Sequence, residues 1–303
     1  MKFGGTSVGD VARIKAVSDT IRSELRPNRK IIVVVSAMSD QTNKLIELAK
    51  DLGAEGTVDP EYDALVSTGE DVSASLLALA LKKLGIHARS WRGWQVPINT
   101  DSFFSNAKIK SVNTKKLIQS FKDGLEVAVI SGFQGVEDNR RITTLGRGGS
   151  DTSAVAIAAS IGSERCDIYT DVSGIYTTDP RIKRKAAKIK KISFEEMLEM
   201  ASLGANVLQT RAVELAMRSK TPIQVLNSFS NEEGTLVCDE EEIMEKNIIS
   251  GIAFQRNEAR ITLSNIEDKP GVAAKIFGPL AEAGINVDMI VQSSTQTGNT
   301  DLT

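Results

Sequence analysis

The sequence predicts an α/β fold: a three-layer αβα sandwich around a mostly parallel sheet, followed by a smaller, incomplete α+β unit. Short apolar, β-branched runs alternate with helical patterns. Loops rich in glycine and charge fall where those runs end, which is where ligands bind in such sheets. The composition then turns polar and acidic near residue 230. A chain of 303 residues is long enough for one large domain and one small one.

The opening KFGGTS (2–7) reads as a strand end and a tight turn into a helix beginning near Asp10, where Val11, Ile14, Val17, Ile21 and Leu25 recur at helical spacing. IIVVVS (31–36), VAVIS (127–131), CDIYT (166–170) and IQVLN (223–227) read as strands buried on both faces. Leu45, Leu48 and Leu52 mark one amphipathic helix, and Leu76, Leu77, Leu81 and Leu84 another. Residues 194–203 and 207–218 read as a helical pair. Residues 1–230 thus make the larger domain, and 231–246 a linker with short structure of its own. Residues 247–303 read as a strand, a turn at Lys269-Pro270-Gly271, a helix over 272–283 stopped by Gly284, and a strand over 286–293. The final NTDLT looks like the start of another strand. A βαβ piece alone leaves a sheet edge open. The expectation is that the chain continues, or that another chain covers the edge, and that the first strand starts upstream of residue 1.

Lys and Arg number 37 against 39 Asp and Glu, with the signs interspersed. That argues against nucleic acid or an anionic membrane surface as the main partner. No apolar run approaches bilayer length, and no signal peptide is visible. Cys166 and Cys238 are far apart and outside any metal-type spacing, which favours reduced thiols and a cytoplasmic setting. The single histidine, His87, argues against Ser–His–Asp or multi-histidine metal chemistry.

Four loops carry the chemistry. In KFGGTS, Gly4 and Gly5 allow close backbone approach to a ligand, amides before a helix bind anions, and Lys2 adds a mobile cation. Taken alone, the two glycines favour a plain βα turn, and the spacing is not that of a Walker loop. In TLGRGGSDTSA (144–154), Arg147 precedes Gly148, Gly149, Ser150 and Asp151; Asp151 alone would read as an N-cap. Two such loops suggest a cleft for two anionic ligands. In YTDVSGIYTTDPRI (169–182), Tyr176 suits a base and Arg181 a phosphate, although singly each is an ordinary loop residue. In STGED (67–71), Glu70 sits at a helix start, where dipole complementarity and ligand binding explain it about equally well.

In this order the four loops resemble those of the aspartate kinase branch of the amino acid kinase family. EDKPGVAAKIFGPLAEAGINVDMI resembles an ACT regulatory domain, the small-molecule sensor that follows that kinase fold. The chain departs from the family at LGANVLQT, where Asn206 stands in place of a lysine that helps hold the nucleotide.

The resemblance implies transfer of the ATP γ-phosphoryl group to the β-carboxylate of L-aspartate. That carboxylate is already ionised at neutral pH, so no general base is needed, which suits a site without histidine. Charge neutralisation and in-line positioning are needed instead. Lys2 would stabilise the transferring group and Asp151 would orient Lys2. Gly4, Gly5, Ser7 and Ser36 would cradle the phosphates. Arg147 would meet the substrate α-carboxylate through its planar fork and Glu70 the α-ammonium, with Thr6, Gly148, Gly149 and Ser150 beside them. Thr170, Asp171, Tyr176, Asp179 and Arg181 would line the nucleotide pocket. Mg²⁺ would ride mainly on phosphate oxygens and waters, with no dedicated protein cage. Lysine or threonine would act as effector at Asp268, Lys269, Pro270, Gly271 and Asn286, with ACT units paired in a homodimer or higher oligomer. Another amino acid or carbamate kinase of this fold, or a non-catalytic amino acid sensor, are the alternatives. Asn206 lends the sensor weight, and Lys2, Arg147 and Asp151 count against it.

Overall fold

Alternation within the valine-rich runs decides which core each side chain enters. In the computed structural model, residues 1–54, 58–205, 207–243, 250–254, 259–267, 269–282, 287, 290–294 and 299–303 are described. They fall into two units, Met1–Phe254 and Gln255–Thr303. The first begins β1 (Lys2–Phe3), α1 (Val11–Glu24), β2 (Ile31–Val35), α2 (Gln41–Asp51), α3 (Pro60–Val66), α4 (Thr68–Lys83) and β3 (Ala88–Trp91). It continues through β4 (Ile98–Thr100), β5 (Ile109–Val112), α5 (Lys115–Lys122), β6 (Val127–Ser131), β7 (Gln134–Val136), β8 (Ile142–Thr144) and α6 (Gly149–Ile161). It closes with β9 (Cys166–Thr170), β10 (Lys191–Ser193), α7 (Phe194–Ser202), α8 (Thr210–Ser219), β11 (Ile223–Asn227) and β12 (Thr235–Cys238).

Eight strands form one sheet in the order β10-β12-β11-β9-β1-β2-β6-β3, and a smaller sheet runs β5-β4-β7-β8. Every pairing in the large sheet is parallel except β11 with β12. Successive residues of a strand point to opposite faces. Val33, Val35, Val127 and Val129 accordingly pack with Ile14, Val17 and Ile21 of α1 and Leu77 and Leu81 of α4. Val34, Ala128, Ile130 and Ile168 join Val155 and Ile157 of α6, Met197 of α7 and Val213 of α8 on the other face. Burying apolar surface at roughly 25 cal/mol per Å² holds this three-layer arrangement together.

Three expectations change. Residues 235–238, expected in the linker, form β12, paired with β10 and β11. Its alternation is short and lies between acidic stretches, yet Thr235, Val237 and Cys238 are buried. Thr235 Oγ1 accepts from Ile175 N at 2.8 Å and donates to Ile189 O at 2.6 Å, which anchors the strand. The Leu45/Leu48/Leu52 stripe does not face a core: Leu48 and Leu52 are exposed, and Ala49 is the buried residue of α2. Leu84 is exposed as well. Finally, the helical stretch Pro60–Lys83 is long and apolar enough to cross a membrane on length and composition, against the reading that no such run exists. Many of its apolar residues are the alanines and leucines that α4 turns toward α1, β3 and β6 in the core.

The second unit contains β13 (Leu263–Glu267), α9 (Val272–Glu282), β14 (Gln292–Ser294) and β15 (Asn299–Leu302), with the strands antiparallel in the order β13-β15-β14. Gly271, at φ 93°, turns the chain into α9. The strand expected over 286–293 overlaps β14 only at its end, and the NTDLT strand is β15. Asn206, Asp268, Gly284 and Asn286 lie outside the described residues.

Candidate active site

β1 pairs with β2 and β9, and β2 pairs with β6, so Phe3, Val35, Tyr169 and Ser131 end side by side. The loops that follow these strands therefore gather at the carboxyl end of the sheet. The first is tightly wound, with Ser7 N and Val8 N both donating to Gly4 O, at 3.0 and 3.3 Å. Gly4 N donates to Tyr169 O at 3.3 Å and Ser36 N to Phe3 O at 3.1 Å. A Cβ on Gly5 would stand 2.9 Å from Ala37 O, so the residue must be glycine for the two loops to close. Asp10 caps α1 by accepting from Arg13 N at 2.8 Å.

Lys2 is buried, and its Nζ lies 2.6 Å from Asp151 Oδ1. This is a charge contact whose angle lies outside hydrogen-bond geometry, and Asp151 Oδ1 has no hydrogen-bond donor among the described residues. Asp151 stands in the first turn of α6, where its carboxylate also faces the positive end of the helix. The turn into α6 needs Gly148 twice over. Its φ is 71°, and a Cβ there would lie 1.8 Å from Gln209 Cγ. Gly149 and Ser150 are buried beside it, and a Cβ on Gly132 would lie 2.8 Å from Ser150. Arg147 is exposed and has no ion pair or hydrogen bond among the described residues.

Glu70, in the first turn of α4, is 4% exposed. Its Oε1 accepts from Ala37 N at 3.0 Å, while Oε2 is buried without a hydrogen-bond partner among the described residues. Burial pushes its pKa up to about 8; the Ala37 amide pulls the other way and neighbouring Asp71 adds to the rise. Ala37 thus links Glu70 to the glycine loop. A cation placed beside this carboxyl would favour its ionised form.

Thr170, Asp171, Tyr176, Asp179 and Arg181 all line one cavity of about 640 Å³, whose apolar wall includes Met200, Val207 and Phe254. Arg181 is held by Asp179, with Nη2 at 2.8 Å from Oδ2 and Nε at 3.1 Å from Oδ1, and its guanidinium is largely exposed. Of the other expected donors, Ser7 is buried with its hydroxyl 2.6 Å from that of Ser228, and Thr6 is exposed with its carbonyl accepting from Arg13.

Sequence reasoning missed a second set of polar residues. Asp71 accepts from Ser131 Oγ at 2.7 Å and Gln134 Nε2 at 2.9 Å and pairs with Arg92 at 3.3 Å, bracing the start of α4. Phe133 sits in left-handed backbone at φ 67°, its amide donating to Ser153 Oγ at 3.1 Å and its ring close to Gly149. The position of SGFQ directly after a buried strand was the available signal.

The amino acid kinase family model matches residues 1–227 and the ACT domain model residues 261–303. An aspartate kinase of Stutzerimonas stutzeri is 52% identical over 303 residues, spanning 100% of this chain and 73% of that protein. E. coli aspartokinase III in complex with aspartate and ADP (R-state) superposes with a TM-score of 0.83 at 30% identity, covering 99% of this chain and 77% of that one. Its complex with lysine and aspartate (T-state) gives 0.75 at 29% identity over the same shares, 99% and 77%. With its glycine loops, buried Lys2–Asp151 pair and strand order, the chain belongs to the amino acid kinase family, in its aspartate kinase branch.

Proposed function

We infer that the chain transfers the γ-phosphoryl group of ATP to the β-carboxylate of L-aspartate, giving 4-phospho-L-aspartate. This is the first step toward lysine, threonine and methionine. The observation that carries the reading is the Lys2–Asp151 pair, buried between β1 and the start of α6 and close to Gly4, where a Cβ would stand 3.5 Å from Lys2 Nζ.

Lys2 neutralises charge on the group in transit, and Asp151 holds its ammonium in place. Gly4, Gly5 and Ser36 bring backbone close to the phosphates. Ser7 contributes mainly by fixing the turn, since its amide and hydroxyl already have partners within the protein. Arg147 pairs with the substrate α-carboxylate and Glu70, once ionised, with the α-ammonium; Thr6, Gly148, Gly149 and Ser150 shape the space between them. Thr170, Asp171, Tyr176, Asp179 and Arg181 surround the nucleotide. The hard oxygens of Thr170 and Asp171 on the cavity wall suit Mg²⁺ carried by the phosphates, where it offsets their charge. ADP release measured with aspartate, with glutamate and with no acceptor tests the assignment. Turnover with aspartate alone is expected; equal turnover with glutamate, or none with either, overturns it.

The second unit is read as a sensor for lysine or threonine, with Lys269, Pro270 and Gly271 at the mouth of α9, Asp268 and Asn286 nearby in sequence, and a second copy supplying the paired unit. The T-state complex of the E. coli relative with lysine supports lysine as the first ligand to try. Calorimetry with lysine and with threonine checks it, and heat from neither removes the assignment. Buried free thiols at Cys166 and Cys238 fit a cytoplasmic setting.

A further inference from the structure

Three acceptors from two loops converge on a guanidinium that the reaction above leaves without a role. Arg211, in the first turn of α8, donates through Nη1 to Asn106 Oδ1 at 3.0 Å and to Leu145 O at 2.5 Å, and through Nη2 to Ala107 O at 2.7 Å. Leu145 lies two residues before Arg147. The two loops also touch directly, because a Cβ on Gly146 would stand 2.8 Å from Asn106 Oδ1. From the same helix entry, Gln209 closes over Gly148.

The loop of residues 105–107 is anchored again on its far side. Asp63, fully buried in α3, accepts from Ser105 N at 3.0 and 2.9 Å, from Ser105 Oγ at 3.1 Å and from Thr144 N at 2.6 Å. Ser105 takes a left-handed backbone, φ 66°, to meet it. Asp63 precedes Glu70 by the length of about two helical turns.

We propose that Arg211 is a positioning residue for the amino acid substrate. It fixes the loop that carries Arg147 and, through Asn106, Ser105 and Asp63, ties that loop to α3, which leads through Ser67 into the helix that carries Glu70. The inference rests on the roles read above for Arg147 and Glu70. The two charges that recognise the two ends of the substrate are thereby held at a set separation. Arginine suits this position because its planar fork serves several acceptors at once in fixed directions; a lysine ammonium on a flexible stem cannot. None of these residues lines the cavity of the 170–181 loop, so a defect here reaches the amino acid and spares the nucleotide.

Steady-state kinetics on Arg211→Gln, Arg147→Gln and the double variant test this, with urea midpoints recorded for each. The expected result is a KM for aspartate raised about tenfold or more in Arg211→Gln, with the KM for ATP within about twofold of the parent. The double variant should be little worse than Arg147→Gln alone, because both changes remove one function. Asn106→Ala, which removes a single acceptor, should move aspartate KM in the same direction by less, and it decides the matter if Arg211→Gln does not fold. Equal rises in both KM values, or single effects that multiply in the double variant, overturn the proposal. If Arg147→Gln raises the aspartate KM and Arg211→Gln does not, the positioning role alone falls. If Arg147→Gln leaves it unchanged, the assignment of Arg147 falls and the positioning role with it.

Discussion

The two halves of the cleft are built differently. On the side of Lys2, Asp151 and Glu70, ionisable groups are almost fully buried, and each is placed by contacts the fold had to provide: the start of α6, the Ala37 amide, the glycine loop. On the side of Thr170 to Arg181, the polar groups stand in an open loop around a partly apolar cavity, and Arg181 is largely exposed. Burying a charge is costly unless it is paired, so the first half spends stability to hold charges ready for a charged reaction. The second half offers shape and exposed polar groups at little cost. Side chains should therefore matter greatly in the first half and weakly in the second.

The hardest test of that contrast is Lys2→Ala. It should lower kcat by about 10²–10³, since the charge it answers develops during transfer. Single-turnover measurements would show the loss in the chemical step, and a kcat within a few-fold of the parent would make Lys2 only a turn residue. Next in size is a pH effect at Glu70. Its folded pKa is about 8, above the 4.5 of an ordinary glutamate. Between those values the folded apoprotein holds a proton that the unfolded chain has lost. Glu70 therefore favours folding at low pH, and that contribution declines as pH rises through about 8. In its proposed role Glu70 binds aspartate in the ionised form, so the KM for aspartate should fall as pH rises toward 8, by up to about tenfold per pH unit. Buffers of different ionisation heat in calorimetry would reveal the released proton, and Glu70→Gln should abolish both trends. The smallest expected change is Arg181→Ala. An exposed guanidinium already paired with Asp179 should alter the KM for ATP by only a few-fold, in line with the modest worth of surface ion pairs. A hundredfold rise would mean that the two halves are alike after all.

Much of this layout could be read in advance because it is local. The strands IIVVV, VAVIS, CDIYT and IQVLN are rich in apolar and β-branched residues, and the structure places strands over those residues. The four loops stood out because glycine and charge are rare together at strand ends. What stayed hidden depends on partners distant in sequence. β12 is a strand because β10 and β11 lie on either side of it. Leu48 and Leu52 have helical spacing but are exposed, and periodicity cannot tell an inward stripe from an outward one. Arg211 reads as an ordinary helix residue until loops roughly a hundred positions away come to rest on it. Whether a carboxyl such as Glu70 is ionised depends on who surrounds it, and no spacing rule reports that.

Ala37 serves two masters with one backbone: its N–H engages Glu70, and its C=O leaves only enough room for a glycine at position 5. Anyone re-engineering this cleft for a different acceptor inherits that arrangement as a constraint. The loops at 4–9 and at 36–40 and the helix start at 67–71 form one exchangeable module, and a transplant that takes one of them from another parent without the other two should arrive with a mismatched seam.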